Sequence, residues 1–174
     1  MIKVIGIDPG LASTGIGIVS GKGIRVSGFS FGCISTHRHL NLPDRLNRIY
    51  SKLTALLKDE RPDLMVVEDA FFLERYPTSG IVLGKVTGVI LLAGCRFDVP
   101  VIEVPVREAK KILTGNGRAD KKQLEKSVRH VLKCEIPIKP YHASDALALA
   151  LIGLYRYDQL AASAIEPAIH SNLS

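Results

Sequence analysis

Cysteine is scarce and poorly placed for crosslinking. Cys33, Cys95 and Cys134 are odd in number, far apart, and form no C-x-x-C pair. Neither a disulfide framework nor a zinc site is indicated, and a reducing cytoplasm is the expected setting. Long hydrophobic runs are missing too. MIKVIGIDPG enters directly into a strand pattern, with no apolar stretch of signal-peptide length. The most apolar stretch, Ile81 to Cys95, is broken by Gly84, Lys85, Thr87, Gly88 and Gly94, which argues against a bilayer span. Internal repeats, low-complexity tracts and linkers are absent, so the 174 residues read as one domain with room for a full core. The domain is expected over residues 1–158, with 159–174 a small-residue, polar tail prone to fray.

What is present is an uneven charge. The chain carries +6 overall. Between Arg107 and Lys133 stand nine basic residues against three acidic ones, and the remainder of the chain is neutral. One basic segment on a neutral protein suits a binder of phosphate backbones. The alternative is a solvated helix face laced with i,i+4 pairs.

Periodicity then organises the chain. Ile2–Asp8, Thr14–Val19 and Ile24–Ser35 read as strands of a meander, turning at Pro9-Gly10 and Gly21–Gly23. Pro43 opens a helix with Leu46, Ile49, Tyr50, Leu53, Leu56 and Leu57 at helical spacing, and Pro62 closes it. Leu64–Ala70 and Val99–Val104 are further strands, and Gly80–Cys95, Arg107–Leu113, Ala119–Leu132 and His142–Tyr157 are helices. The pattern predicts an α/β fold with a five-stranded mixed sheet and helices on both faces.

Three carboxylates sit where a structural role is awkward. Asp8 ends an apolar strand, Glu68 lies inside the apolar LMVVEDA run, and Asp145 lies one turn into a helix that is apolar on nearly every side. Buried carboxylates are costly unless a cation meets them, and hard oxygen ligands suit Mg²⁺ or Mn²⁺. His142, three residues before Asp145, shares its helical face. Each residue also has a plain reading: a turn cap at Asp8, an edge-strand surface position at Glu68, a helix-dipole partner at Asp145, a helix-start histidine at His142. The four together favour a site.

These residues carry a resemblance. GIDPG at Gly6–Gly10 followed by Thr14-Gly15, VVED at Val66–Asp69 followed by Ala70-Phe71, and HASDALALA at His142–Ala150 are similar to the motifs of the RuvC family of Holliday junction resolvases. LGKVTG at Leu83–Gly88 and AKKILTGNGRADK at Ala109–Lys121 resemble that family's connecting segments. The resemblance implies a ribonuclease-H-like fold and a metal-dependent endonuclease, cutting four-way DNA junctions by paired nicks in recombination and repair. It makes Asp8, Glu68 and Asp145 metal-binding catalytic residues, with His142 in the slot where many members carry Asp. It puts Phe71 where an aromatic stacks on a base, and Lys110, Arg118 and Lys121 among the DNA contacts. It also implies two Mg²⁺ ions per site, with Mn²⁺ accepted, a homodimer, and partnership with a branch-migration motor. The helix at Gly80–Cys95 has more apolar surface than one sheet face requires, which makes it a candidate dimer surface.

GIDPG with a following TG also resembles the first phosphate loop of actin-like ATPases and sugar kinases. Those use two copies of the fold, and the basic segment has no role in that reading. A catalytically silent DNA-binding module is the other rival, against which the costly acidic set argues.

Overall fold

The computed structural model describes residues 1–69 and 77–157. Five strands form one mixed sheet in the order β3-β2-β1-β4-β5. β1 (Ile2–Asp8) pairs antiparallel with β2 (Ser13–Lys22), and β2 pairs antiparallel with β3 (Arg25–Ser35). On its other side β1 runs parallel to β4 (Leu64–Glu68), and β4 runs parallel to β5 (Val101–Val104). The ends of β1, β3, β4 and β5 therefore share one edge of the sheet, and Asp8 and Glu68 are last in their strands.

Alternation within the strands divides the core into two layers. Ile5, Ile7, Ile16, Ile18, Met65 and Val67 face α1 (Leu42–Glu60) and α2 (Pro77–Arg96). Val4, Val19, Leu64, Val66 and Val104 face α3 (Val106–Thr114), α4 (Lys121–Leu132) and α5 (Tyr141–Tyr155). α5 is the central helix, buried at every position from Ala143 to Leu154. Gly6 and Gly15 admit it. A Cβ on Gly6 would stand 2.0 Å from the Ala146 carbonyl oxygen, and one on Gly15 2.0 Å from that of His142. Any larger residue at either position would push α5 off the sheet.

The element types agree with the sequence, and several ends differ for local reasons. β4 stops at Glu68, short of the predicted Ala70. α2 begins at Pro77, earlier than the predicted Gly80, because a first-turn residue needs no backbone N–H partner. It reaches twenty residues and is long and apolar enough to cross a membrane by length and composition alone, more than the sequence reading allowed. Its inner face, however, packs Val86, Ile90 and Ala93 at zero exposure in the α1–α2 layer. α4 begins at Lys121 because Asp120 caps it in a reciprocal box with Gln123. β4 is an interior strand, which removes the edge-strand reading of Glu68.

Candidate active site

Asp8 reaches the sheet edge in full register, paired with Gly15 of β2. Thr14 donates from Oγ1 to the Gly10 carbonyl (2.8 Å), and Thr36 from its Oγ1 to the Leu11 carbonyl (2.5 Å), so the turn after Asp8 is pinned. Parallel pairing of Ile7 with Val67 sets Glu68 beside Asp8 on the α5 face. α5 enters above them with His142 and Asp145 on its first turns. His142 Nδ1 lies 2.5 Å from Asp8 Oδ2. Asp8 and Asp145 are buried, Glu68 is half-buried, and the His142 side chain is 40% exposed.

The electrostatics show strained like charges. Burial, then the neighbouring Asp8, then Asp145 push the Glu68 carboxyl up to about 8, with Lys110 opposing. Burial and Asp8 push Asp145 up to about 6, against Lys121, Lys110 and His142. The hydrogen bond its ring donates to Asp8 holds the His142 imidazole above its ordinary value, with burial opposing. Asp145 Oδ1 is buried and, among the described residues, has no hydrogen-bond partner. Carboxylates that resist ionising together, one oxygen of them orphaned, fit a divalent cation: its charge would remove the repulsion and occupy the free lone pairs. The donor set of three carboxylates and an imidazole suits Mg²⁺ or Mn²⁺. Among the described residues no three such groups already close around a single point.

The other sequence candidates divide. Lys110 on α3 and Lys121 at the start of α4 both act on the Asp145 carboxyl, and Lys110 on Glu68 as well. Arg118 is exposed in the turn before α4, its backbone N–H donating to Asn116 Oδ1 (2.9 Å). Phe71 lies outside the described residues. An open cleft of about 590 Å³ flanks Glu68, lined by Asp69, Pro105, Val106, Arg107, Glu108 and Lys111. A larger hollow of about 700 Å³, between Ile24–Phe29 and Val131–Lys133, opens at the far end of the molecule and has no carboxylate in its lining. Sequence reasoning missed the spacer role of Gly6 and Gly15, although both stand in the quoted motifs.

The family described as crossover junction endodeoxyribonuclease RuvC matches residues 4–153. The protein of that name from Syntrophomonas wolfei is 37% identical over 156 residues, 90% of either chain. That from Thermosipho melanesiensis is 38% identical over 149 residues, 86% of this chain and 94% of its own. The solved structure of Thermus thermophilus RuvC with a Holliday junction substrate superposes with a TM-score of 0.83 at 29% identity, covering 91% of this chain and 96% of that one. The yeast mitochondrial Holliday junction resolvase shares the fold, with a TM-score of 0.59 at 11% identity, covering 92% and 80%.

Proposed function

The chain belongs to the RuvC family of crossover junction endodeoxyribonucleases, and on that premise we propose that it resolves four-way DNA junctions by paired symmetric nicks in recombination and repair. The observation that supports this most is the gathering of Asp8, Glu68, His142 and Asp145 at one sheet edge, from elements as far apart as 134 residues in the chain. These four would hold two divalent ions, Mg²⁺ or Mn²⁺, which when bound supply a lowered water pKa and a positive field for the leaving oxygen. The protein's own residues do the rest. Asp8 anchors His142 from the sheet, and the glycine row beneath α5 sets that helix at the right depth. Lys110 and Lys121, whose charges reach the carboxylates, draw the scissile phosphate into the acidic edge. Arg118 and the remaining cations of α3 and α4 hold the flanking backbone, and Phe71 stacks on a base at the crossover.

A junction has two-fold symmetry, so paired nicks call for two sites in a homodimer. The outer face of α2 is the surface we assign to it. Ile81 is 58% and Leu92 51% exposed there, with Gly84, Gly88 and Cys95 in the same stripe. The three free cysteines suit the reducing cytoplasm in which such an enzyme would work, beside a branch-migration motor. The deciding experiment is a nicking assay with Mg²⁺ on mobile and fixed four-way junctions, beside linear duplex of the same sequence. Paired nicks in the junctions alone are expected; equal cutting of duplex, or none of either, would sink the proposal.

A further inference from the structure

The sheet edge that carries Asp8 continues past β2 to β3. Both β1 and β3 run antiparallel to β2, so Ser35 and the loop after it emerge on the same edge as Asp8, two strands away. At the usual strand spacing that is about 10 Å, or about three nucleotides along one DNA strand. The loop reads Thr36-His37-Arg38-His39-Leu40-Asn41 and is exposed from His37 to Asn41. α1 follows with Arg45 and Arg48, and Asp44 is the one acid between Thr36 and Arg48.

This loop is held firmly. Thr36 N–H donates to the Ala12 carbonyl (3.1 Å) and Leu40 N–H to that of His37 (3.1 Å). Asn41 caps α1 by accepting from Asp44 N–H (2.9 Å). Two guanidiniums fold back onto it through their Nε atoms: Arg45 to Thr36 Oγ1 (2.8 Å) and Arg48 to the Ser35 carbonyl (3.0 Å). Among the described residues that leaves both forks of terminal nitrogens unengaged, the arrangement that suits a phosphate. Among the described residues Arg38 makes no side-chain hydrogen bond, and none of the three arginines meets a carboxylate. Solvated surface arginines are common. Three without acidic partners, on the same edge as a nuclease site and beside a helix N-terminus that adds positive potential, favour a phosphate partner.

We infer that the His37–Asn41 loop, with Arg45 and Arg48 of α1, is a second DNA-backbone-binding surface that grips a junction arm on the β3 side of the active site. The lysines of α3 and α4 hold the other side, so the carboxylates stand between two cationic wings. The inference rests on the junction-nuclease reading. Its partner chemistry is duplex phosphate, read without base contacts.

The test is fluorescence anisotropy of a labelled four-way junction across a salt series, with EDTA present so that no cutting occurs. Single-turnover nicking at saturating protein with Mg²⁺ runs beside it. Arg38→Gln is expected to weaken binding about three- to tenfold, and His37→Gln with Arg38→Gln and His39→Gln more so. The slope of log affinity against log salt should become shallower by about 1, with the nicking rate at saturation unchanged. The Arg38 side chain is exposed and, among the described residues, makes no hydrogen bond or ion pair, so its replacement leaves the fold intact. Unaltered affinity and slope in the triple variant, where wild type binds and nicks junctions, overturn the loop's role and leave the functional reading standing. A wild type that neither binds nor nicks overturns the functional reading, and this inference with it.

Discussion

His142 Nδ1 is 2.5 Å from Asp8 Oδ2, a contact between the first turn of α5 and the last residue of β1. The imidazole proton in this bond points at the Asp8 carboxylate, so a cation taking both groups as ligands would have to displace it. Loading of the proposed cation would therefore compete with protons.

The first prediction follows from that bond. Asp8 holds the imidazole above its ordinary 6.5, so nicking should fall as pH drops through a window above that value. Mn²⁺ should support activity at least as well as Mg²⁺, since imidazole is the softer ligand. His142→Asp should keep activity, shift preference toward Mg²⁺ and move the acid limb down, whereas His142→Ala should lose metal affinity about 10- to 100-fold. Calorimetric Mn²⁺ titration and a pH–rate profile check both. An unchanged profile in His142→Ala would leave a three-carboxylate site.

Asp8→Asn, Glu68→Gln and Asp145→Asn should each slow nicking by at least about 100-fold. Junction binding should be equal or tighter, because negative charge next to phosphate is removed. A variant that still nicks at the wild-type rate drops out of the site.

Stability without metal should fall with rising pH. Glu68 and Asp145 have raised folded-state values, about 8 and about 6. Between the ordinary carboxylate range and those values the folded chain binds more protons than the unfolded one. Unfolding free energy therefore declines as pH climbs from about 4.5 to 8. His142, also raised, acts in the same direction. Glu68→Gln should raise the melting midpoint at pH 8, by about 2–4 °C per kcal/mol of repulsion relieved, and added Mg²⁺ should do the same for wild type. Calorimetry at pH 5 and pH 8 with EDTA measures it, and a metal-free protein more stable at pH 8 would refute the assignment.

Lys110→Ala and Lys121→Ala should reduce the nicking rate at saturating DNA, because their charges reach the carboxylates. Lys126, exposed further along α4, should act through binding and its salt slope alone. Equal small effects at all three would mean a diffuse electrostatic surface.

Ile81→Asp or Leu92→Asp on the outer face of α2 should turn a dimer into a monomer in sedimentation velocity. Neither side chain belongs to the core, so the fold should remain, with intact circular dichroism and uncoupled single nicks. A variant that stays dimeric places the interface elsewhere.

Most elements were legible because helix and strand periods are local, and Asp8, Glu68 and Asp145 stood out as charges in apolar runs. The ends that moved, at Pro77 and Asp120, were decided by capping chemistry. The same local reading understated α2, because glycines that interrupt an apolar run do not interrupt a helix packed along its length.

By itself the sequence determined which residues had to be inside, which carboxylates had no apolar excuse to be there, and which family's motifs they match. Only the tertiary structure decided adjacency. Parallel register of β1 with β4 sets Glu68 beside Asp8. Gly15, under the His142 carbonyl, lets α5 sit close enough for the imidazole to reach Asp8. Strand order also brings the arginines of α1 to the edge that carries Asp8. Burial follows from each residue's own chemistry and its near neighbours, whereas register and strand order depend on contacts between segments tens of residues apart, which no local period encodes.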